Sequence, residues 1–226
     1  MKDIMIITGA SSGLGFSLAK LALQRDLLVC GIARDKDRLQ KAQQQLGSNF
    51  IYFSCDIANQ QQVEETISTI SQLGNIKYVV NNGQSAIFRD VIDYSQDDIE
   101  TSLKGLKGMM FVSQATLKIK KQTDIKIINI GSSASFAGKG KESVYCAIKW
   151  AVRGYTESLK DQYKNSSVKI IGVYPGGMNT NFWNDSRDYM PIEKTDKFMN
   201  SDDVAKAIID NILNDDVYVS DIRIAR

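Results

Sequence analysis

Two side chains four residues apart carry chemistry that the remaining residues would have to serve. Tyr145 and Lys149 stand at i and i+4, so on a helix they share one face, one turn apart. A phenol ionises near pH ~10, too high for a base at neutral pH, and a neighbouring ammonium favours the phenolate and lowers that value. The expectation is that Lys149 depresses the Tyr145 pKa and that the pair transfers a proton. The same spacing also occurs on solvated helix faces, so the pair gains meaning only from its company.

Part of that company is a loop suited to phosphate. An apolar run at 4–8 leads into Thr8, Gly9, Ala10, Ser11, Ser12, Gly13, Leu14 and Gly15, and helical spacing follows over 16–25. Glycines let the backbone turn tightly and approach a phosphate, and a helix N-terminus offers free N–H groups to a pyrophosphate. The spacing is T-G-x-x-x-G-x-G rather than G-x-G-x-x-G; the competing reading is a glycine turn with no ligand. A second strand at 27–33 ends at Ala33-Arg34. There a dinucleotide fold meets the adenosine ribose, where an acidic residue suits the 2′-hydroxyl of NAD and an arginine suits a 2′-phosphate. Arg34 therefore favours NADP(H) over NAD(H). The alternative is a solvated arginine paired with Asp35 or Asp37.

These groups need elements to hold them. Strand-like runs recur at 50–55, 77–80, 125–130, 168–174 and 217–219, and helical patterns at 34–46, 59–73, 97–121, 143–163 and 201–213. Strands alternating with helices specify an α/β fold, a Rossmann-like doubly wound parallel sheet of about seven strands with helices on both faces. No linker or repeat divides the chain, so 1–226 reads as one domain. Residues 181–200 have mixed composition and no clear period, and read as a short lid. In the helix at 97–121, Ile99, Leu103, Leu106, Met110, Ser113 and Leu117 form a stripe expected to be buried. Gly105 and Gly108 interrupt it. Each costs roughly 1 kcal/mol relative to alanine, which suggests close approach by another segment.

Composition narrows the classes. With 226 residues, 43% hydrophobic and 24% charged, the chain can bury a substantial core. A net charge of +2 with scattered basic residues gives no footprint for nucleic acid or an anionic membrane. No apolar run approaches the ~18 residues of a membrane span, and Met1-Lys2-Asp3 runs into a strand without a signal-peptide pattern. Cys30, Cys55 and Cys146 read as buried reduced thiols of a cytoplasmic protein. The absence of histidine removes Ser-His-Asp and Cys-His catalysis and histidine metal sites; no metal is expected.

Together these pieces resemble the short-chain dehydrogenase/reductase family over essentially the whole chain. Five ordered motifs carry the likeness: Thr8 through Gly15; Asn81-Asn82-Gly83-Gln84 for the family's Asn-Asn-Ala-Gly; Ser132; Tyr145 with Lys149; and Pro175, Gly176 and Thr180. The resemblance implies that Tyr145 exchanges a proton with a carbonyl or alcohol oxygen, that Ser132 holds that oxygen, and that Lys149 binds the nicotinamide ribose. It further implies that Asp56 and Ile57 meet the adenine, that Asn82 and Gly83 line the cofactor, and that Met178 and Thr180 cover the carboxamide end. A helix N-cap is the other reading of Asp56. Phe136, Trp183, Tyr189 and Met190 are candidates for an apolar substrate pocket, with a core or lid role as the alternative. The family also implies a homodimer or homotetramer through the helices at 97–121 and 143–163.

Two residues depart from the family pattern. Gly105 falls where the family has an asparagine that holds a relay water beside the lysine, and Gln84 replaces glycine. The expectation is that water fills the space at Gly105 and that proton relay is altered. The leading function is NADPH-dependent reduction of a ketone or aldehyde. A dinucleotide-binding regulatory or redox-sensing protein is the alternative. A serine–lysine hydrolase built on Ser132 and Lys149 would leave the glycine loop and Pro-Gly turn without a purpose.

Overall fold

The computed structural model describes residues 2–119, 124–186, 189 and 192–226. Its elements alternate: β1 (Asp3–Thr8), α1 (Gly13–Leu23), β2 (Leu28–Ala33), α2 (Lys36–Leu46), β3 (Phe50–Ser54), α3 (Gln60–Ser71) and β4 (Asn75–Asn81). There follow α4 (Gln96–Ile119), β5 (Lys126–Ile130), α5 (Ser143–Tyr163), β6 (Lys169–Pro175), α6 (Ile192–Thr195), α7 (Ser201–Ile212) and β7 (Asp221–Ile224). The seven strands form one sheet in the order β3-β2-β1-β4-β5-β6-β7, and every pairing is parallel. The order reverses between β1 and β4, and such a switch point opens a crevice at the carboxyl ends of the strands.

Central strands buried on both faces need apolar residues on both, and Ile4, Met5, Ile6 and Ile7 are fully enclosed. One face is covered by α1, α2 and α7, through Leu18, Leu39 and Ile208 among others. The opposite face is covered by α3, α4 and α5, through Ile67, Val112 and Leu159. Cys30, Cys55 and Cys146 are buried and unpaired.

The last strand is not at 217–219. Val217 is exposed, the Tyr218 hydroxyl donates to the Ile170 carbonyl, and the ladder with β6 runs instead from Asp221 to Ile224. Ile222 and Ile224 pack against the core, an alternation that marks a half-buried edge strand. The stripe on α4 also needs correction. Ser113 and Leu117 are buried, but Ile99, Leu103 and Met110 are 39%, 41% and 37% exposed. The sheet side of α4 presents Ser102, Gly105, Met109, Val112 and Thr116, small or slender residues on a second 3-4 register. The reason is crowding. A Cβ on Gly108 would lie 2.4 Å from Ile57 Cγ1, and one on Gly105 would lie 3.0 Å from Gln84 Cα and Cγ. Close approach, expected at these two glycines, is what the backbone shows.

Gly15 is the tightest such position: a Cβ there would sit 2.2 Å from the Gly9 carbonyl oxygen and 2.7 Å from Asn82 Nδ2. Gly154, inside α5, has nothing within 4 Å of its Cβ position. In urea unfolding, Gly15→Ala is expected to destabilise by at least the ~1–3 kcal/mol of an overpacked core. Gly154→Ala is expected to stabilise by up to about 1 kcal/mol. Equal effects would show that α1 is not packed on the glycine loop in this way.

Candidate active site

The cleft begins where β1 and β4 end side by side. Gly9 and Gly13 hold φ of +68° and +52°, left-handed values that glycine adopts without strain. Two loops clamp each other there. Thr8 Oγ1 accepts from the backbone N–H groups of Asn82 at 3.0 Å and Gly83 at 2.8 Å, and Asn82 Nδ2 donates to the Thr8 carbonyl at 3.0 Å. The N-terminus of α1 opens beside this clamp. Its N-cap, Ser12, makes no side-chain capping bond, and its first turn carries no acidic residue. Free N–H groups with positive dipole and no internal anion are what an incoming phosphate needs.

The proton-transfer residues are placed by β5 and α5. Ser132, just past β5, accepts from the Ala134 N–H at 3.2 Å, while Ser135 Oγ accepts from the Ser132 N–H at 3.3 Å. Ser135 Oγ donates in turn to the Lys149 carbonyl at 2.8 Å, which fastens the serine turn to α5. Lys149 Nζ donates to the carbonyls of Ile130 at 3.1 Å and Gly131 at 2.9 Å, and lies 5.5 Å from the centre of the Tyr145 ring.

Burial dominates the electrostatics. It lowers the Lys149 pKa to about 7. It raises that of Tyr145, against a hydrogen bond from Ser132 that lowers it; the nearby Glu142 charge raises it further. The expected depression of the Tyr145 pKa by Lys149 is therefore overturned. Desolvation disfavours the charge of both groups, and for the phenol it outweighs the neighbouring lysine.

A buried polar chain not anticipated from sequence fixes α5 against the sheet. Asn81 Nδ2 donates to Ser113 Oγ at 3.0 Å and Asn129 Oδ1 at 2.9 Å, and Asn129 Nδ2 donates to Thr156 Oγ1 at 3.0 Å. It joins α4, β4, β5 and α5. The first asparagine of the Asn-Asn pair thus braces the framework, and the second braces the glycine loop.

A cleft of about 470 Å³ gathers most of the anticipated residues. It is lined by Gly9, Ser11, Ser12, Gly13 and Leu14, by Arg34, Asp56, Ile57, Asn82 and Gly83, and by Ser132, Tyr145 and Lys149. Pro175, Gly176, Met178, Thr180 and Trp183 close its far side. Gly15 is not in its lining; its part is to let α1 sit on the loop. Asp56 is not the N-cap of α3: it accepts from the Ala58 N–H at 3.0 Å in a turn ahead of the helix, and Asn59 caps α3. Arg34 is exposed, and no ion pair holds it among the described residues, because Asp35 caps α2 and pairs with Arg38 at 3.2 Å.

Two of the pocket candidates are misplaced. Phe136 lies outside the cleft, its ring between the guanidinium carbons of Arg223 at 3.8 Å and Arg153 at 4.3 Å, an arrangement favoured by cation–π attraction. Tyr189 is also outside the lining; it packs on Phe88 and donates to Glu142 Oε1 at 2.7 Å. Met190 lies outside the described residues. The apolar wall comes instead from Phe182, Trp183 and Phe198, and Phe88 stands behind it 5.2 Å from the Tyr145 ring and 5.4 Å from Trp183. Arg38, Lys104 and Glu142 also line the cleft. Arg38, one helical turn beyond Arg34, was legible from spacing; Phe88 and Phe198 carried no periodic signal.

A phosphate-ready helix end, a serine–tyrosine–lysine group and an arginine at the end of β2 define a dinucleotide-dependent oxidoreductase site on a doubly wound sheet. Residues 3–190 match the family model for short chain dehydrogenase. An uncharacterized oxidoreductase of Staphylococcus epidermidis is 30% identical over 182 residues, 79% of each chain. One from Staphylococcus aureus is 27% identical over 210 residues, 91% of this chain and 89% of the other. Among solved structures, a short-chain dehydrogenase/reductase from Vibrio parahaemolyticus superposes with a TM-score of 0.84 at 34% identity, covering 97% of this chain and 98% of that one. The closed form of a serine dehydrogenase complexed with NADP+ gives 0.90 at 25% identity, covering 98% and 94%. The chain belongs to the short-chain dehydrogenase/reductase family of NAD(P)-dependent oxidoreductases.

The low Lys149 pKa makes a stability prediction. The folded lysine titrates at about 7 and an unfolded one near ~10.4. Between these values the unfolded chain binds the extra proton, so stability rises with pH. No histidine titrates in this window, and the buried thiols of Cys30 and Cys55, pushed upward, oppose the trend only as pH nears the free thiol value. The urea midpoint is expected to rise from about pH 7 to about pH 8.5 and to flatten in Lys149→Met. Parallel slopes in the two proteins would place the Lys149 charge in water.

Proposed function

We propose that the protein reduces a ketone or aldehyde to an alcohol with NADPH, Tyr145 donating the proton. The carrying observation is the convergence of Ser132, Tyr145 and Lys149 in the cleft on which the N-terminus of α1 also opens. The residues present fit a dinucleotide. Uncapped N–H groups at Ser12 and beyond suit its pyrophosphate. Arg34, unpaired among the described residues, and Arg38 line the cleft at the end of β2, where a 2′-phosphate is recognised. A neighbour of similar fold is described as complexed with NADP+, which supports the same choice here. Asp56 and Ile57 would flank the adenine, Asn82 and Gly83 the middle of the cofactor, and Met178 and Thr180 the carboxamide. When bound, the nicotinamide supplies hydride.

The chain's own residues do the rest. Ser132 orients the carbonyl oxygen through its hydroxyl. Tyr145, its pKa raised by burial, stays protonated at neutral pH, as a proton donor in the reductive direction must be. Lys149 holds the ribose hydroxyls with the N–H not used by Ile130 and Gly131. Residues 181–200 act as a short lid within a single unit spanning 1–226. The isolated bridge between Met178 and Met199 joins the two ends of that segment, and Phe182 and Trp183 form its apolar inner wall. A cytoplasmic location and a homodimer or homotetramer complete the reading. Ile99, Leu103 and Met110 on α4 and Trp150 on α5 are exposed apolar side chains suited to burial between copies.

NADPH absorbance followed against a panel of carbonyl compounds tests the activity. Turnover is expected, with a loss of about 10²-fold or more in Tyr145→Phe. Tight NADPH binding without turnover of any compound would favour the regulatory binding role instead. Arg34→Ala is expected to weaken NADPH binding by about tenfold or more, the value of a hydrogen bond to charge, and to spare NADH. No preference in the parent, or one unchanged in the variant, removes Arg34 from recognition.

The assembly has its own check. Leu103→Glu and Met110→Glu are expected to lower the molecular mass seen by light scattering. A parent that is already monomeric overturns the oligomer.

A further inference from the structure

The carbonyl oxygen of Ile130 accepts twice. Lys149 Nζ donates to it at 3.1 Å, and Gln84 Nε2 donates to it at 3.3 Å. Gln84 comes from the loop after β4 and reaches this oxygen because α4 carries no side chain at Gly105. A Cβ at that position would meet Gln84 Cα and Cγ at 3.0 Å and the Gly83 carbonyl at 3.1 Å. The space beside Gly105 is thus filled by Gln84, which corrects the expectation that water occupies it. Gln84 also lines the cleft. An ammonium has three N–H donors, and two of those on Lys149 go to Ile130 and Gly131.

We propose that Gln84 is a positioning residue for Lys149, holding part of the Ile130 carbonyl so that the ammonium is gripped less firmly by the backbone and stays free to serve the ligand. The inference rests on the reading of Tyr145 and Lys149 as the proton-transfer pair. A hydrogen bond to a charged group favours its charged form. An acceptor divided between two donors therefore holds the ammonium less well than one given to it entirely. The titratable groups that share this part of the cleft with Lys149 are Tyr145 on α5, Glu142 at the N-cap of α5, Lys104 on α4 and Lys139 ahead of α5, with Cys146 next to Tyr145 on α5. The loop after β4 adds only neutral side chains to the lining, so exchanging Gln84 changes one influence at a time. Filling space against Gly105 would by itself need only a side chain of this length.

Gln84→Leu removes the N–H with a side chain one atom shorter, Gln84→Met keeps the length without the N–H, and Gln84→Glu replaces the amide by a charge opposite to the lysine. With Gln84→Leu, kcat for carbonyl reduction is expected to fall about three- to tenfold, the range of a single hydrogen bond. The alkaline limb of kcat/KM against pH should move to higher pH as Lys149 holds its proton longer. Gln84→Glu should move that limb further in the same direction. NADPH fluorescence titrations across the same pH range read the Lys149 proton without turnover, so a failure of the carbonyl reductase reading is seen separately in the parent. Variants that match the parent in kcat, pH limb and the pH dependence of NADPH binding, and differ only in thermal midpoint, would reduce Gln84 to packing. If Gln84→Leu fails to fold, Gln84→Met provides the same comparison.

Discussion

The candidate active site depends on an ammonium taken out of water and seated on the end of a β-strand. Lys149 is only 5% exposed, and its partners are backbone carbonyls of Ile130 and Gly131, which carry no full charge. Such a seat satisfies hydrogen bonds without neutralising the cation, so burial drives the lysine towards its neutral form. The same dry surroundings keep Tyr145 protonated. Lysine and tyrosine are thus coupled by a shared environment as much as by the 5.5 Å between nitrogen and ring. A dinucleotide bound as proposed would bring ribose hydroxyls into that environment and change it for both groups together.

Holding such a seat requires a rigid joint between β5 and α5. The Ser113–Asn81–Asn129–Thr156 chain supplies it from four elements, and Ser135 supplies it from the serine turn. Buried polar groups connected in this way are costly when broken, which is why they fix one geometry. Opposite the joint, α4 comes close enough to receive Gln84 and Ile57 on its backbone only because residues 105 and 108 are glycine.

Much of this was legible in the sequence, for identifiable reasons. The strand–glycine–helix order and the i, i+4 pair depend on local spacing, and α5 forms where its pattern placed it, Ser143–Tyr163. The errors have local causes as well. Val217, Tyr218 and Val219 have high strand propensity but precede the residues that pair with β6, whereas Asp221–Ile224 hides its strand in a short alternation. On α4 two registers compete, and the more hydrophobic one faces outward, a choice decided by loops that propensity does not see. The placement of Phe136 between two arginines, and of Phe88 behind Tyr145, arises from segments far apart in the chain. No spacing rule contains that information.

The two ends of the cleft are built on opposite electrostatic principles. At the end of β2, Arg34 is exposed and free of carboxylate partners among the described residues. It stands at the protein surface, where screening is strong. At the end of β5, Lys149 is buried and Tyr145 half-buried, and burial disfavours the charge of each. On the proposed reading, cofactor recognition at the first end is sensitive to ionic strength, while proton transfer at the second depends on pH. The aromatic cluster of Phe88, Phe182, Trp183 and Phe198 packs beside Tyr145 at the second end. On the proposed reading, the segment to which Phe182 and Trp183 belong serves the acid–base pair as well as forming the wall a substrate meets.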